Sequence, residues 1–267
     1  MRFDAAEVAR QIAAVAAAEI MPRFGLLEAG DIQEKSPGDL VTAADLACEK
    51  RLTPILEGLL PGSVVVGEEA SAADPSVLAR MKGEAPVWVI DPVDGTLNFA
   101  SGIPIFGTMV ALISRGEVVG AWIHDPVRGR TFSAEAGSGT FVDGKRVHVA
   151  AGADLKRMSG GFALTTGERD QAATLGRNAD KIGSIVTMRC AAADYANLAE
   201  GRTHFAFFNR TYPWDHAPGW LLHKEAGGYS RSLKTGGAYD PAEIFSRLLL
   251  APDEDSWHRL REGLWAA

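Results

Sequence analysis

The apolar run Val87-Trp88-Val89-Ile90 is stopped at once by Asp91-Pro92, so a buried strand delivers a carboxylate to its own C-terminal end. That arrangement recurs along the chain. The β-branched run 63–67 leads into Glu68-Glu69, and an aromatic strand expected over 204–208 precedes Trp214-Asp215. Strands that end in acids gather negative charge at their C-termini, where α/β sheets keep their ligands. In a low-dielectric crevice such charges cannot all stay ionised without partners, and hard oxygen donors in this number suit Mg²⁺. A pair of such ions would orient a phosphate, polarise its P–O bonds and lower the pKa of a bound water.

The remaining punctuation is that of a mixed fold. Residues 1–24 space apolar side chains among Asp4, Glu7, Arg10 and Glu19 at helical period, which predicts an amphipathic helix rather than a signal peptide or membrane span. Thr42-Ala43-Ala44-Asp45 has capping-box form and opens a helix that runs toward Leu60, where Pro61-Gly62 ends it. A polar helix or loop is expected over 71–83. Segments 105–113, 118–124, 130–134 and 139–142 are separated by turn residues and predict an antiparallel meander. The second half alternates: strands near 159–164 and 182–187, an alanine-rich helix over 191–200, strand 204–208, a helix over 215–226 and strand 248–251. No Pro/Ser-rich linker intervenes. Residues 1–150, an α+β half carrying most of the acids, and residues 151–267, an α/β half closing the site, are therefore expected to pack as one unit.

Composition narrows the partners. At 267 residues, with 46% apolar and 23% charged side chains, the chain is a folded globular protein. Its net charge of -7 comes without a basic block, which argues against nucleic acid and anionic membrane as partners. Only two cysteines, Cys48 and Cys190, are present and lie far apart, so no disulfide framework is expected and a cytoplasmic, reducing compartment is.

Taken singly, the acidic motifs are ordinary: Gly67-Glu68-Glu69 suits a surface turn, Asp94-Gly95-Thr96 a turn with a helix cap, and Trp214-Asp215 an N-cap beside a core aromatic. In order and together they are specific. The string Asp91-Pro92-Val93-Asp94-Gly95-Thr96 resembles the D-P-[IL]-D-[GS]-[ST] signature of the inositol monophosphatase family of metal-dependent, lithium-sensitive phosphatases. Asp39-Leu40-Val41-Thr42-Ala43-Ala44-Asp45 is similar to the family's D-x-V-T-x-x-D segment, Gly67-Glu68-Glu69 to its G-E-E, and Trp214-Asp215 with Glu225-Ala226-Gly227-Gly228 to its W-D and E-A-G-G segments. The resemblance spans nearly the whole chain.

It implies a layered αβαβα sandwich of the inositol monophosphatase and fructose bisphosphatase type, and a set of roles. Glu68, Asp91 and the Val93 carbonyl would hold a first Mg²⁺; Asp91, Asp94 and Asp215 a second; Glu68 would help with a third. Thr96 would hydrogen-bond the attacking water and be oriented by Asp45. The Gly95 and Thr96 amides, opening a helix, would cradle the phosphate. Lys35 matches a flexible-loop lysine near the metals. The activity implied is water attack on a small phosphorylated metabolite, foremost an inositol 1-phosphate, without a phosphoenzyme. Family members are commonly homodimers, for which Trp88, Trp122, Trp220 or the meander edge would serve.

The substrate side departs from the family. Counting back from Asp215, the position of a substrate-binding glutamate is Phe208, and the family's G-[ST]-A-A segment is Arg189-Cys190-Ala191-Ala192. A phenyl ring accepts no hydroxyl hydrogen bonds, although Phe208 also suits a core strand. Arg189 and Arg210 suit a second anionic group on the substrate, or plain solvation. Histidinol phosphate, fructose 1,6-bisphosphate and adenosine 3′,5′-bisphosphate are thus alternatives, and a non-catalytic phosphometabolite-binding protein is the alternative of another class. A haloacid-dehalogenase-like phosphatase spaces its two aspartates at i and i+2, on one face of a strand; here the spacing is i+3 with Pro92 between. A glycosidase would need one neutral acid and an aromatic cleft rather than a dense acidic cluster.

Overall fold

The computed structural model describes residues 3–36, 39–164 and 169–265. The chain opens with helix α1 (Ala5–Val15), capped by the Asp4 side chain, and a hairpin of β1 (Ile32–Ser36) and β2 (Asp39–Thr42). Thr42 then caps α2 (Ala43–Leu59) in the expected box with Asp45. Strand β3 (Val64–Gly67) runs into the short helix α3 (Glu68–Ala73), and β4 (Val87–Asp94) into the shorter α4 (Thr96–Ala100). The meander follows as β5 (Gly107–Ser114), β6 (Glu117–Asp125), β7 (Arg130–Glu135), β8 (Gly139–Val142) and β9 (Lys145–Val147). Beyond it come β10 (Ser159–Ala163), α5 (Arg169–Asn178), β11 (Ser184–Ile185), α6 (Ala191–Ala199), β12 (Phe205–Phe208) and α7 (Pro213–Glu225). Strands β13 (Tyr229–Ser232) and β14 (Leu248–Ala251) and helix α8 (Glu254–Trp265) complete it.

Strands β3 to β9 lie in sequence order in one seven-stranded sheet, parallel only at β3–β4; a five-stranded sheet has the order β11-β10-β12-β14-β13. Side-chain alternation builds the layers. Trp88, Ile90, Val110, Leu112 and Trp122 face α1 and α2, packing on Val8, Ile12, Cys48, Leu52 and Leu56. The opposite face, with Val87, Val89, Met109, Ala111 and Ile123, meets Tyr195 and Leu198 of α6 and Ala217 and Leu221 of α7. The same helices rest on Ala206, Phe208, Leu248 and Leu250 of the second sheet. Its far face, Phe205, Phe207 and Leu249, packs on Leu175 of α5 and Trp257 and Leu260 of α8. Helices, sheet, helices, sheet, helices: this is the αβαβα sandwich.

Several local expectations change. The first helix stops at Val15 and passes through a π turn and a 3₁₀ turn instead of running to residue 24. Segment 182–187 keeps only two strand residues, and β1, β2, β9, β13, α3, α5 and α8 are additional. Trp88 and Trp122 are fully buried in the first interlayer core, so neither serves a subunit interface. Trp220 is partly buried, its indole N–H donating to Ser230 Oγ at 3.0 Å.

His223, in the last turn of α7, is fully buried, and burial pushes its pKa down from 6.5 to about 4. The unfolded chain takes up a proton near pH 6.5 that the folded one refuses until about pH 4, so stability falls as pH drops through that window. Urea unfolding at pH 7 and pH 5 should show this loss, and His223→Leu should remove about 2 kcal/mol of it. An unchanged pH dependence in the variant would show that His223 does not titrate in this way.

Candidate active site

The turn after β4 is built by a bulge. Asp91 pairs with Met109 and Asp94 with Gly107, so one extra residue is accommodated where Pro92 has no N–H to give the ladder. Thr108 Oγ1 donates to the Pro92 carbonyl at 2.9 Å and fixes the bend. Gly95 follows at φ 85°, the left-handed region, and any Cβ there would press on the Ile105 carbonyl and Cys190. The helix α4 begins at once, and Asn98 within it donates to the carbonyls of Ile105 and Met188, both at 2.9 Å. That side chain ties the turn to the segment leading into α6.

Glu68 and Glu69 open α3 directly beyond β3. Their position depends on Glu49 of α2, whose carboxylate accepts from the amides of Glu69 and Ala70, each at 2.8 Å. Gly67 leaves room for that carboxyl, because a Cβ there would run into it. Glu49 escaped the sequence reasoning. Its only signal is a carboxylate one turn beyond Asp45 on the same helix. Lys35 lies in β1 of the hairpin rather than in a free loop, and its ammonium sits 2.7 Å from Glu68 Oε1 and 3.0 Å from Glu69 Oε1. Burial disfavours the ammonium, but Glu68 and Glu69 outweigh it and raise its pKa.

Asp215 stands in the first turn of α7, behind Pro213, and the cap residue is Tyr212, so Asp215 is not the N-cap. One carboxylate oxygen from each of Glu68, Asp91 and Asp215 lies within 4.8 Å of the others. Asp94 is adjacent but partly committed: its Oδ2 accepts from the Ala192 amide at 2.6 Å and the Cys190 thiol at 2.9 Å. The N-terminus of α6 is thereby pinned to the end of β4. Cys190 is the cap residue of α6, and burial, with Asp94 beside it, raises its pKa well above the usual thiol value.

Burial raises the pKa of Asp91 well above the ordinary carboxylate value, and Glu68, Asp94 and Asp215 push it the same way. Asp215 is raised likewise, first by burial and then by Glu68 and Asp94, with Arg210 opposing. Asp94 is raised by burial against the pull of its Cys190 and Ala192 hydrogen bonds. Glu69 and Asp45 are both pushed up to about 7, chiefly by burial. Among the described residues Asp91 Oδ1 is buried with no hydrogen-bond partner. Three converging carboxylates, an orphaned buried oxygen and repulsion that protein groups only partly relieve fit a hard divalent cation.

One expected contact is not made. Among the described residues no hydrogen bond joins Asp45 to Thr96: Asp45 Oδ2 accepts from the Thr42 amide and hydroxyl in the α2 cap, and its Oδ1 is buried without a partner. Thr96 Oγ1 donates instead to the Val93 carbonyl at 3.0 Å. Beside the acids opens a cavity of about 460 Å³ lined by Asp94, Asp215, Ala191, Arg189, Arg210 and Phe208. Arg189 is exposed and adopts φ 52°, and Arg210 stacks over Tyr212 at 4.8 Å. Phe208 does both jobs weighed for it: its ring is buried against Tyr195 at 5.2 Å and also lines the cavity. His216 Nδ1 pairs with the Tyr195 hydroxyl at 3.0 Å.

Two outcomes follow from this geometry. Asp91→Asn removes one of the repelling charges, so in EDTA its Tm should exceed that of the wild type, while stabilisation by added Mg²⁺ should vanish in differential scanning fluorimetry. Glu49→Ala uncaps α3, and a lost cap costs about 1 kcal/mol; the Mg²⁺ concentration for half-maximal thermal stabilisation should rise about tenfold, because Glu68 loses its fixed place. An unchanged Mg²⁺ titration in Glu49→Ala would refute that coupling.

Comparison with known proteins agrees with the geometry. The model of the inositol monophosphatase family matches residues 4–263. A fructose-1,6-bisphosphatase/inositol-1-monophosphatase of Thermotoga maritima is 31% identical over 82% of this chain and 83% of its own length. An inositol-1-monophosphatase of Rhizobium meliloti is 33% identical over 80% of each chain. The solved structure of the extragenic suppressor protein suhB of Bartonella henselae superposes with a TM-score of 0.83 at 29% identity, covering 98% of this chain and 99% of that one. With the fold, the acids and the family match in agreement, the chain belongs to the inositol monophosphatase family and is a phosphoric monoester hydrolase of that metal-dependent type.

Proposed function

We propose that the protein is a Mg²⁺-dependent, lithium-sensitive phosphomonoesterase that hydrolyses a small phosphorylated metabolite by direct attack of water, in the manner of an inositol-1-monophosphatase. The observation that carries this is the convergence of Glu68, Asp91 and Asp215 beside the Gly95 turn. We assign Glu68, Asp91, Asp94, Asp215 and the Val93 carbonyl as the metal-holding set. Divalent cations bound there would supply Lewis acidity at the phosphate and lower the pKa of water.

The chain's own residues do the rest. The Gly95 and Thr96 amides precede any intrahelical acceptor and face the phosphate oxygens. Thr96 Oγ1, moving its proton from the Val93 carbonyl, holds the attacking water in line. Asp45 Oδ1, buried without a partner among the described residues, steadies that hydroxyl once substrate draws it inward. The Lys35 ammonium balances Glu68 and Glu69. Ala191 leaves space at the substrate cavity. Its remaining wall favours a second reading of the substrate: Arg189 and Arg210 with Phe208 suit a phosphomonoester bearing another anionic group better than a neutral polyol. Both cysteines are free and buried, which fits a reducing cytoplasm, and among the described residues no helix is long and apolar enough to cross a membrane. A homodimer is the assembly proposed.

The test is phosphate release from inositol 1-phosphate, fructose 1,6-bisphosphate, histidinol phosphate and adenosine 3′,5′-bisphosphate, with millimolar Mg²⁺, with EDTA and with Li⁺. Turnover should require Mg²⁺, fall with Li⁺, and drop by about 100-fold or more in Asp94→Asn and Thr96→Ala. Full activity in EDTA, or in both variants, would overturn the assignment.

A further inference from the structure

A second cavity, of about 510 Å³, lies at the opposite end of α7, away from the acids, between that helix, the β5–β6 turn and β13. Its walls are aromatic and cationic. Trp220 and Tyr239 pack ring to ring, centroids 5.4 Å apart and inclined by 37°. The Lys224 ammonium sits 5.0 Å above the Trp220 ring, and the Arg231 guanidinium 4.5 Å above the Tyr229 ring. Neither cation has a carboxylate partner among the described residues. Arg231 is only half exposed and is anchored by donating to the Ser230 carbonyl at 2.9 Å. Trp220 is held by its indole N–H on Ser230 Oγ.

The polar inventory points the same way. Tyr239 is 6% exposed and its hydroxyl oxygen is buried, with no hydrogen-bond partner among the described residues, so this side chain offers the cavity its ring and not its hydroxyl. Glu117 is the one carboxylate in the cavity lining and lies exposed on the rim. Tyr229, by contrast, has its hydroxyl engaged with Glu254 at 3.0 Å. Flat aromatic walls want a planar ring, and two uncompensated cations want an anion. The volume admits a ligand of drug-like or mononucleotide size.

We propose that this cavity is a binding site for an aromatic anion, a planar ring carrying a carboxylate or phosphate, with the ring against Trp220 and Tyr239 and the anion between Lys224 and Arg231. The proposal does not rest on the catalytic reading, since none of these residues belongs to the acidic site.

The probe is 1-naphthoate, titrated into the full-length protein by isothermal calorimetry, with 1-naphthol as a ring without charge and inorganic phosphate as a charge without a ring. Naphthoate should bind one to one, at least tenfold more tightly than naphthol, and its heat should persist when Mg²⁺ and inorganic phosphate are present. The double variant Lys224→Ala/Arg231→Ala should weaken it at least tenfold, whereas Lys224→Arg/Arg231→Lys should keep most of the affinity and so controls for folding. Arg189→Ala/Arg210→Ala, in the catalytic cavity, should leave naphthoate binding unchanged. No binding of naphthoate, equal binding by the Lys224→Ala/Arg231→Ala protein, or loss confined to the Arg189→Ala/Arg210→Ala protein would each overturn the proposal.

Discussion

Mutual repulsion among Glu68, Asp91 and Asp215 is the constraint around which the molecule is arranged. Carboxylates this close, with Asp91 almost fully buried, do not come together by their own preference. Each is forced into place by an element whose apolar residues are committed elsewhere. Asp91 is carried by a strand of the larger sheet buried on both faces, Glu68 by the turn after its parallel neighbour, and Asp215 by a helix sandwiched between two sheets. The hydrophobic layers therefore supply the free energy that holds like charges together, and a cation would return part of it.

Support for the acids comes from groups outside the cluster. The Glu49 carboxylate fastens α3, Asn98 fastens the turn that carries Asp94, and the Ala192 amide holds Asp94 itself. The last of these links residues nearly a hundred positions apart, so the site is complete only when the two sheets have docked. Lys35 adds an ammonium to the cluster, placed by the hairpin that the Thr42 cap terminates.

Much of this was legible in the sequence because it is local. The capping box at Thr42, the strand runs that end in acids, the turn at Gly95 and the meander are all encoded within a few residues, and the ordered motifs carried the family. What was not legible is contact between distant segments. Asp45 had two expected partners, Thr42 through the capping box and Thr96 through the family resemblance, and only the first, which is local, is a hydrogen bond here. The cap role of Cys190 and the burial of Trp88 and Trp122 depend on layer assignment, which alternation suggests but does not number. Glu49 looks like any surface carboxylate of a helix until α3 is seen to end on it.

The bulge at Pro92 has a consequence for how this chemistry relates to other phosphatase chemistries. By absorbing one residue between Asp91 and Asp94, it turns what would be a regular strand into a corner and sends the two carboxylates to separate duties. Deleting a single peptide unit there would restore strict alternation and bring both acids onto one face of the strand, the spacing used by enzymes that attack phosphate with an aspartate. One residue thus separates this corner from a strand that would present both acids side by side.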